Sequence, residues 1–385
     1  MTAFPSSSSG RRTGKARRQA TGPTILACLS LLLPGAAQAQ DELAGLSQPA
    51  RSAELAQRAF SVATQGDWVF GCDNRAVCTL VGHADMADPN HVVSDATRSL
   101  AIRLVLGPQG ELRQMELIPD RQLSDREGVD GTDWSGPFTL SIANLRGAPV
   151  RVPFARTRLG GAEAGMVLSH LASGAPLHGS DPASGEQRLR LPWVGFAEVL
   201  AEVSRRQRHV ADWRRLWRPD DGRVDPVPAT ETIVSGVPAV SAEQMDWCPA
   251  GIDANDLRQF DLGGGQRLWQ HECPVEMERN RWSRWFLAPL GQVGATPLRL
   301  PREPGLTTVV SAAGMGVPNA AFAWDFGVLR SFDRAWEGRE DCGATQDWGW
   351  TGSAFVVLDR REMPVCQGLD PADWIVTWHR GEGET

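Results

Sequence analysis

The sequence contains no tyrosine, and its one lysine, Lys15, lies near the N-terminus. If processing removes that segment, the chain cannot use a Schiff-base lysine, a phosphate-loop lysine or a tyrosine acid. It has no Cys-x-x-Cys spacing, which zinc ribbons and thioredoxin-like redox sites share, and only seven histidines. No apolar run approaches the roughly 18 residues that a transmembrane helix needs. These absences exclude several enzyme classes, and we expect no cofactor.

Residues 1–39 are typical of an export signal. A basic segment without acidic residues precedes the apolar run Ile25–Leu33, and residues 37–39 (Ala-Gln-Ala) fit a cleavage motif. We therefore expect cleavage near Ala39 and a periplasmic or secreted protein; the alternative is a buried N-terminal helix. Loss of five cations and no anion changes the formal net charge from −7 to −12. Such an acidic chain is a poor ligand for nucleic acid or an anionic membrane, so we expect neither partner and no stable membrane insertion.

The hydrophobic pattern predicts an α+β protein that is predominantly antiparallel β, with two β-rich regions bridged by an amphipathic helix. Alternating segments such as "SLAIRLVLG" and "ELRQMELIP" indicate strands. Apolar residues spaced by three or four predict a helix over 194–217, with Arg205, Arg206 and Arg208 on a solvated face. The predicted order is a signal peptide (1–39), a lead-in segment (40–65), a β-rich N-terminal domain (66–158), a connecting region (159–218), a linker (219–240) and a β-rich C-terminal domain (241–385).

Six cysteines remain after residue 39, and their even number in an exported chain favours disulfides. The sequence alone does not select one pairing. Because the cysteines cluster in three local pairs, we expect the bridges Cys72–Cys78, Cys248–Cys273 and Cys342–Cys366. Such bridges would be structural and would stabilise the fold by restricting the unfolded chain.

One polar cluster could bind a metal ion. The segment "HADMADPNH" brings two imidazoles and two carboxylates into nine positions, His83, Asp85, Asp88 and His91. These are suitable ligands for a divalent cation. Their irregular spacing matches no standard metal loop, however, and "DPN" is typical of a turn. The favoured interpretation is a polar connection between strands.

A second cluster near the C-terminus could bind a ligand. It contains four tryptophans and several carboxylates: Trp324, Trp336, Trp348 and Trp350, with Asp325, Glu337, Glu340 and Asp341. The tryptophans could be platforms for sugar rings, and paired carboxylates could hydrolyse a glycosidic bond if their separation is suitable. Buried tryptophans with bonded indole N–H groups are the commoner use of this residue. We therefore assign possible ligand binding to Trp324, Trp336, Trp348, Trp350, Asp325 and Asp341, and no catalytic residue.

Several motifs resemble a family of exported bacterial proteins known as a domain of unknown function, DUF 1176. They are "GDWVFGCDNRAVC", "VGFAEVLAEVSRRQR", "FDLGGGQRLWQHEC" and the C-terminal "REDCGATQDWGWTGSAFVVLDRREMPVCQGLDPADWIVTWHR". The first motif also resembles the invasion-associated locus B family, which shares a Gly-Asp-Trp and a following cysteine pair. The resemblance implies export, a β-rich fold and no established activity, so no catalytic residue is carried over.

The function that these observations favour is a non-catalytic binding or accessory protein of the cell envelope. Its partner would be another envelope protein or a glycan. The alternative is an envelope glycan hydrolase that uses carboxylates beside the C-terminal tryptophan cluster.

Peptide mass spectrometry without reduction, on protein exported by its own signal, tests the processing and the bridges together. We expect an N-terminus at Gln40, because the Ala-Gln-Ala motif ends at Ala39, and three locally bridged peptide pairs. A retained signal segment, or free thiols at Cys72 and Cys78, would contradict this expectation.

Overall fold

The computed structural model describes residues 47–83, 98–119, 138–141, 150–152, 156–180, 187–216, 222–232, 257–277, 280–289, 294–301, 316–335 and 341–380. All of them lie in one compact unit of the chain, Gly45–Thr385. None of the helices in these ranges has the length and apolar character to cross a membrane.

Three α-helices occur in the described ranges, α1 (Gln48–Phe60), α2 (Gly161–Ala172) and α3 (Phe196–Leu216), together with one short 3-10 helix, Pro371–Asp373. The strands of the N-terminal half are β1 (Ala63–Gln65), β2 (Trp68–Cys72), β3 (Cys78–Gly82), β4 (Arg98–Leu106), β5 (Leu112–Pro119), β6 (Phe138–Ser141), β7 (Val150–Val152), β8 (Thr157–Arg158), β9 (His178–Ser180) and β10 (Gln187–Arg190). Those of the C-terminal half are β11 (Thr230–Thr232), β12 (Leu257–Gly263), β13 (Gln266–Met277), β14 (Asn280–Pro289), β15 (Thr296–Pro297), β16 (Val317–Pro318), β17 (Ala321–Ala323), β18 (Val328–Arg334), β19 (Gly343–Trp350), β20 (Phe355–Met363) and β21 (Ile375–His379).

The strands form three mostly antiparallel sheets. The first has the order β1-β2-β3-β4-β10-β9-β6-β7, with β5 between β4 and β8. Within it, the pairing of β4 with β10 is parallel. The second has the order β11-β12-β13-β14-β15, with β16 also on β14, and the third has the order β17-β18-β19-β20-β21. The predicted α+β class, predominantly antiparallel β, is confirmed.

Helix α3 occupies almost the range that the sequence predicts. Its buried apolar residues recur at helical spacing: Phe196, Val199, Val203, Val210 and Trp213. The segment just before α3 is held by Asp67, whose Oδ2 atom accepts hydrogen bonds from the backbone N–H groups of Trp193 (3.0 Å) and Val194 (2.9 Å).

One part of the helix prediction was wrong. Arg206 is buried and not solvated. Its guanidinium lies 4.8 Å from the centre of the Phe70 ring and donates to Glu202 (2.9 Å) and to the carbonyl oxygen of Ser61. A cation over an aromatic face with two oxygen partners can leave water at little cost. Arg205 and Arg208 are exposed, as predicted.

The strands β2, β3 and β4 carry buried side chains on both faces. On one face, Trp68 packs against Phe196 of α3 at a ring distance of 4.8 Å, and Phe60 of α1 packs edge-on against Trp213 at the same distance. The opposite face shares one core with residues nearer the C-terminus. The sheet contributes Val69, Val81, Ala101 and Ile118, and the C-terminal part contributes Cys342, Met363, Leu369, Trp374 and Ile375. The contact is close, because a β-carbon on Gly71 would lie only 2.7 Å from Ile375 Cγ2. The two β-rich regions therefore bury each other's apolar surface, while the predicted domain boundaries stay a prediction.

The loop closed by Cys72 and Cys78 connects three distant segments. Gln207 of α3 donates to the carbonyl oxygens of Ala76 (3.1 Å) and Gly107 (2.7 Å). Arg214 of the same helix donates to the carbonyl oxygen of Asn74 at 2.7 Å. The side-chain oxygen of Asn74, which is fully buried, accepts the backbone N–H of His379 at 2.9 Å. The five-residue loop is thus bonded directly to α3 and β21, and Gln207 of α3 bonds both this loop and the β4–β5 turn.

A second connection between distant segments is an arginine clamp. Arg156 donates to both carboxylate oxygens of Asp373 (2.7 and 3.1 Å) and to Glu116 Oε2 (2.8 Å). The Asp373 side chain is 3% exposed and therefore needs a bonding partner within the protein, whereas the Arg156 side chain is 49% exposed. The clamp fastens the turn before β21 to β5.

Replacing Arg156 should therefore destabilise the protein much more than replacing an arginine of a surface pair. We expect Arg156→Ala to lower the free energy of unfolding by about 2–3 kcal/mol, because it leaves a buried carboxylate without its cation. The matched control is Arg215→Ala, which removes an exposed helical pair with Asp212 and should cost about 0.5 kcal/mol or less. Urea unfolding of the two variants measures the difference, and equal losses would rule out the clamp.

Candidate functional site

The described cysteines are all disulfide-bonded. Cys72–Cys78 and Cys342–Cys366 are the predicted local bridges, and Cys273 is also disulfide-bonded. Cys248 lies outside the described residues. The sulfur atoms of Cys342 and Cys366 lie near a carboxylate oxygen of Asp341, but as disulfide sulfurs they are not thiolate ligands. Asp341 Oδ2 accepts the backbone N–H of Gly368 at 2.7 Å, a bond that holds the segment after Cys366.

The His-Asp segment can be placed only in part. His83 is buried at the end of β3, where its backbone N–H donates to the carbonyl oxygen of Asp67 at 2.9 Å. Asp85, Asp88 and His91 lie outside the described residues. The favoured interpretation, a polar connection between strands, therefore stays a prediction, and its metal-binding alternative stays untested.

The tryptophans of the second predicted cluster have different environments. Trp348 and Trp350 are buried in the core, and the indole N–H of Trp350 donates to the carbonyl oxygen of Leu262 at 3.1 Å. Trp336 lies outside the described residues. Trp324 is exposed, and so is its neighbour Asp325. Among the placed members of this set, Trp324 and Asp325 can reach a ligand from solvent.

Two carboxylates do come close together, but at a different place from the predicted cluster. Glu116 and Asp373 both accept hydrogen bonds from the same nitrogen of Arg156. Burial raises the pKa of Glu116, but the hydrogen bonds and charges of its arginine neighbours outweigh burial and lower that pKa below its ordinary value. A general acid for glycoside hydrolysis needs the opposite shift. This pair is suited to holding an ionised clamp closed.

A histidine–carboxylate pair occurs at the end of β21. His379 Nδ1 lies 3.1 Å from Asp359 Oδ2, and Arg361 donates to the other oxygen of Asp359 at 2.7 Å. Burial raises the pKa of Asp359, but these partners together lower it below its ordinary value. Asp359 is thus an ionised group between the guanidinium of Arg361 and the imidazole of His379, whose backbone N–H is held by Asn74 of the disulfide loop.

The remaining candidate is a four-residue turn, Trp324–Gly327, which joins β17 to β18. We refer to it as the aromatic turn. The N–H of Phe326 donates to the carbonyl oxygen of Ala323 at 3.1 Å, and Gly327 ends the turn with a φ of 64°. A residue with a β-carbon is strained at this φ; moreover, that β-carbon would lie 2.1 Å from the carbonyl oxygen of Val227. The sequence "AWDFGV" therefore specifies a tight turn with two aromatic residues at its tip.

Neighbouring backbone holds the aromatic turn firmly. The N–H of Ala229 donates to the carbonyl oxygen of Trp324 at 2.7 Å, and the N–H of Trp350 donates to that of Gly327 at 2.9 Å. The N–H of Val227 in turn donates to the carbonyl oxygen of Trp350 at 2.7 Å. Although its backbone is fixed in this way, the turn leaves Trp324 40% and Phe326 66% exposed.

Glycines continue this surface beyond the aromatic turn. A β-carbon on Gly352 would lie 3.8 Å from a methyl group of Val227, and one on Gly264 would lie 3.9 Å from the carbonyl oxygen of Gly352. We refer to Val227, the aromatic turn, Gly352 and Gly264 together as the turn surface. It carries three of the four large apolar side chains that are exposed in the described residues: Val227, Trp324 and Phe326, with Val194 elsewhere.

Sequence reasoning included Trp324 and Asp325 among possible ligand-binding residues but missed Phe326 and Val227. The available signal was the turn pattern itself, because a Gly after "WDF" between two alternating segments predicts a hairpin tip. Aromatic side chains at a hairpin tip have few neighbours to cover them. Val227 had no such signal, because only the folded chain brings it beside Gly327.

Comparison with known proteins places the turn surface within a family domain. Residues 223–380 match the model of a family described as protein of unknown function (DUF1176). No curated protein and no solved structure gives a significant match. The predicted resemblance to this family is confirmed over the matched residues, while the resemblance to the invasion-associated locus B family stays a prediction.

The Asp73 carboxylate, inside the Cys72–Cys78 loop, should make the stability of the protein depend on pH. Burial raises its pKa from 3.8 to about 6, although Asp73 Oδ1 accepts the N–H groups of Arg75 (2.8 Å) and Val77 (2.9 Å). Between these two pH values the native protein keeps a proton that the unfolded chain has released. The contribution of Asp73 to stability is therefore fully present below about pH 4 and is lost as the pH rises to about 6.

The variant Asp73→Asn should lose this pH dependence, because an amide oxygen can accept the same two bonds without a charge. We expect the stability of the variant relative to the wild type to rise by about 2–3 kcal/mol between about pH 4 and about pH 7. Urea unfolding of both proteins across this range measures it. A stability difference that does not change with pH would show that Asp73 is not the group responsible.

Proposed function

We propose that this chain, whose residues 223–380 belong to the DUF1176 family, is an exported, non-catalytic binding protein of the cell envelope. The turn surface would be its contact site with another envelope component. One observation carries the proposal: Trp324 and Phe326 are both exposed on one short turn whose backbone is fixed by hydrogen bonds.

Exposed aromatic side chains on a rigid backbone are suited to binding. Tryptophan is enriched among the residues that dominate binding energy at interfaces, since it buries a large area with few rotatable bonds. A rigid turn also loses little conformational entropy when a partner binds. In this protein the other large side chains of the same sheets, such as Trp350 and Phe355, are used in the core. Exposure of Trp324 and Phe326 is thus a specific feature of the turn.

The alternative function, glycan hydrolysis, has less support. Asp325 is exposed on the turn, whereas Asp341 bonds a backbone N–H, and the clustered pair Glu116–Asp373 is held by Arg156. Glu337 and Glu340 lie outside the described residues. Glu116 has a lowered pKa, whereas the acid of glycoside hydrolysis requires a raised one.

Two features support export to an oxidising compartment. The first 39 residues have the three parts of a signal peptide. The bridges Cys72–Cys78 and Cys342–Cys366 are of the kind that persists outside the cytoplasm. Periplasmic or secreted localisation, with cleavage near Ala39, is accordingly part of the proposal.

A photo-crosslinking experiment tests the proposed contact site. A benzophenone-bearing phenylalanine analogue replaces Phe326 in one sample and Val194, the exposed apolar residue outside the turn surface, in the matched control. After irradiation in the native envelope, we expect a partner identified by mass spectrometry at position 326 and not at 194. The same product should disappear when Trp324→Ala is added. Identical products at both positions, or none at position 326 above the control, would reject the turn surface as a contact site.

A further inference from the structure

The carboxylate at the tip of the aromatic turn differs from its neighbours. Asp225 pairs with Arg223 at 2.9 Å, Asp261 accepts the N–H of Gly263 at 2.9 Å, and Asp347 holds Arg330 through two bonds. Asp325, by contrast, has neither a hydrogen bond nor an ion pair with any part of the chain that the structure describes. The turn therefore presents an exposed carboxylate that has no partner among the described residues and is flanked in the chain by two exposed aromatic residues.

Two aromatic rings and a carboxylate form a site for a cation that carries apolar groups. The faces of tryptophan and phenylalanine attract arginine and lysine side chains, and tryptophan does so most strongly. A carboxylate adds a charge-assisted hydrogen bond, which arginine can form through two N–H groups. The methylene groups of either side chain can lie along an aromatic ring and along Val227.

The surroundings favour a basic polypeptide over a glycan. Sugar hydroxyl groups need several free side-chain donors and acceptors around the aromatic platform. Gly264 and Gly352 have none, and the hydroxyl groups of Thr351 and Ser353 on either side of Gly352 bond each other, while that of Thr351 also bonds the backbone of Ala354. Bare glycine backbone instead allows the backbone of another chain to approach closely. The expected charge of −12 after removal of the signal would also attract a basic partner from a distance.

We propose that the turn surface binds an arginine or lysine side chain of a basic polypeptide segment, with the cation held between Trp324, Asp325 and Phe326. This inference rests on the proposed function, since it names the chemistry of the partner at the same site.

Indole N–H resonances of the mature, disulfide-intact protein provide the test. The signal of Trp324 is identified with Trp324→Phe, and those of buried tryptophans such as Trp348 serve as internal controls. The probes are the peptide acetyl-Ala-Arg-Leu-Arg-Ala-amide, its counterpart with neutral citrulline in place of arginine, and chitotriose. We expect the arginine peptide to shift the Trp324 signal with an affinity at least about threefold higher than the citrulline peptide, as one exposed cation–π contact predicts.

Two variants separate the contributions to binding. Asp325→Asn should abolish the preference for arginine over citrulline, and raising the salt from about 50 mM to about 300 mM should reduce it. Gly264→Asn keeps the turn, because asparagine tolerates the positive φ of 58° at this position, but places a side chain on the surface. It should weaken binding of both peptides about equally.

Each other outcome overturns the inference without deciding the proposed function. Equal affinity for the arginine and citrulline peptides would show that the positive charge does not contribute to binding. A shift with chitotriose alone would show that the surface binds a glycan. If no probe shifts the Trp324 signal, the cation site is rejected, and the crosslinking at position 326 decides separately whether the surface binds a partner.

Discussion

The contact between the face of β2, β3 and β4 and the segment from Cys342 to Ile375 is the constraint on which the other parts of this fold depend. Val69, Val81 and Ala101 share one core with residues more than 240 positions away, from Cys342 to Ile375. Two polar connections fix the alignment. Asn74 holds the backbone of β21, and Arg156 holds the turn before it. The disulfide Cys72–Cys78 contributes to this alignment, because the short loop that it closes leaves Asn74 little conformational freedom.

The elements that the sequence could predict are those whose signal is local. Helix α3 follows from apolar residues at helical spacing, and hairpins such as β4–β5 follow from alternation around a Gly-containing turn. Helix α2 was missed because its sequence, "GAEAGMVLSHLA", contains two glycines and lacks a clear apolar stripe. The parallel pairing of β4 with β10 and the core shared with the C-terminal segment join residues far apart in sequence. No local pattern specifies such pairs, so sequence reasoning could not find them.

The candidate site shows the same limit. A list of tryptophans could not separate Trp348 and Trp350, which fill the core, from Trp324, which does not. The position of each tryptophan in its strand or turn decides whether its side chain is buried or exposed. Trp348 and Trp350 lie two residues apart within β19 and are both buried. Trp324 lies at a hairpin tip, where the chain reverses and its side chain is left exposed. The opposite error concerns Arg206. The helical pattern predicts that this arginine is exposed, but the ring of Phe70, on β2, covers its guanidinium.

Arginine has a double role in this lysine-free part of the chain. Guanidinium groups pair with carboxylates between elements, as Arg156 does with Asp373 and Arg330 does with Asp347. Asp225 also has an arginine partner, Arg223. Asp325 is exposed between Trp324 and Phe326 in the chain and has no such partner among the described residues. A guanidinium from another chain can form with it the same two charge-assisted bonds that Arg330 forms with Asp347, and this is the reason to assign cation recognition to the turn.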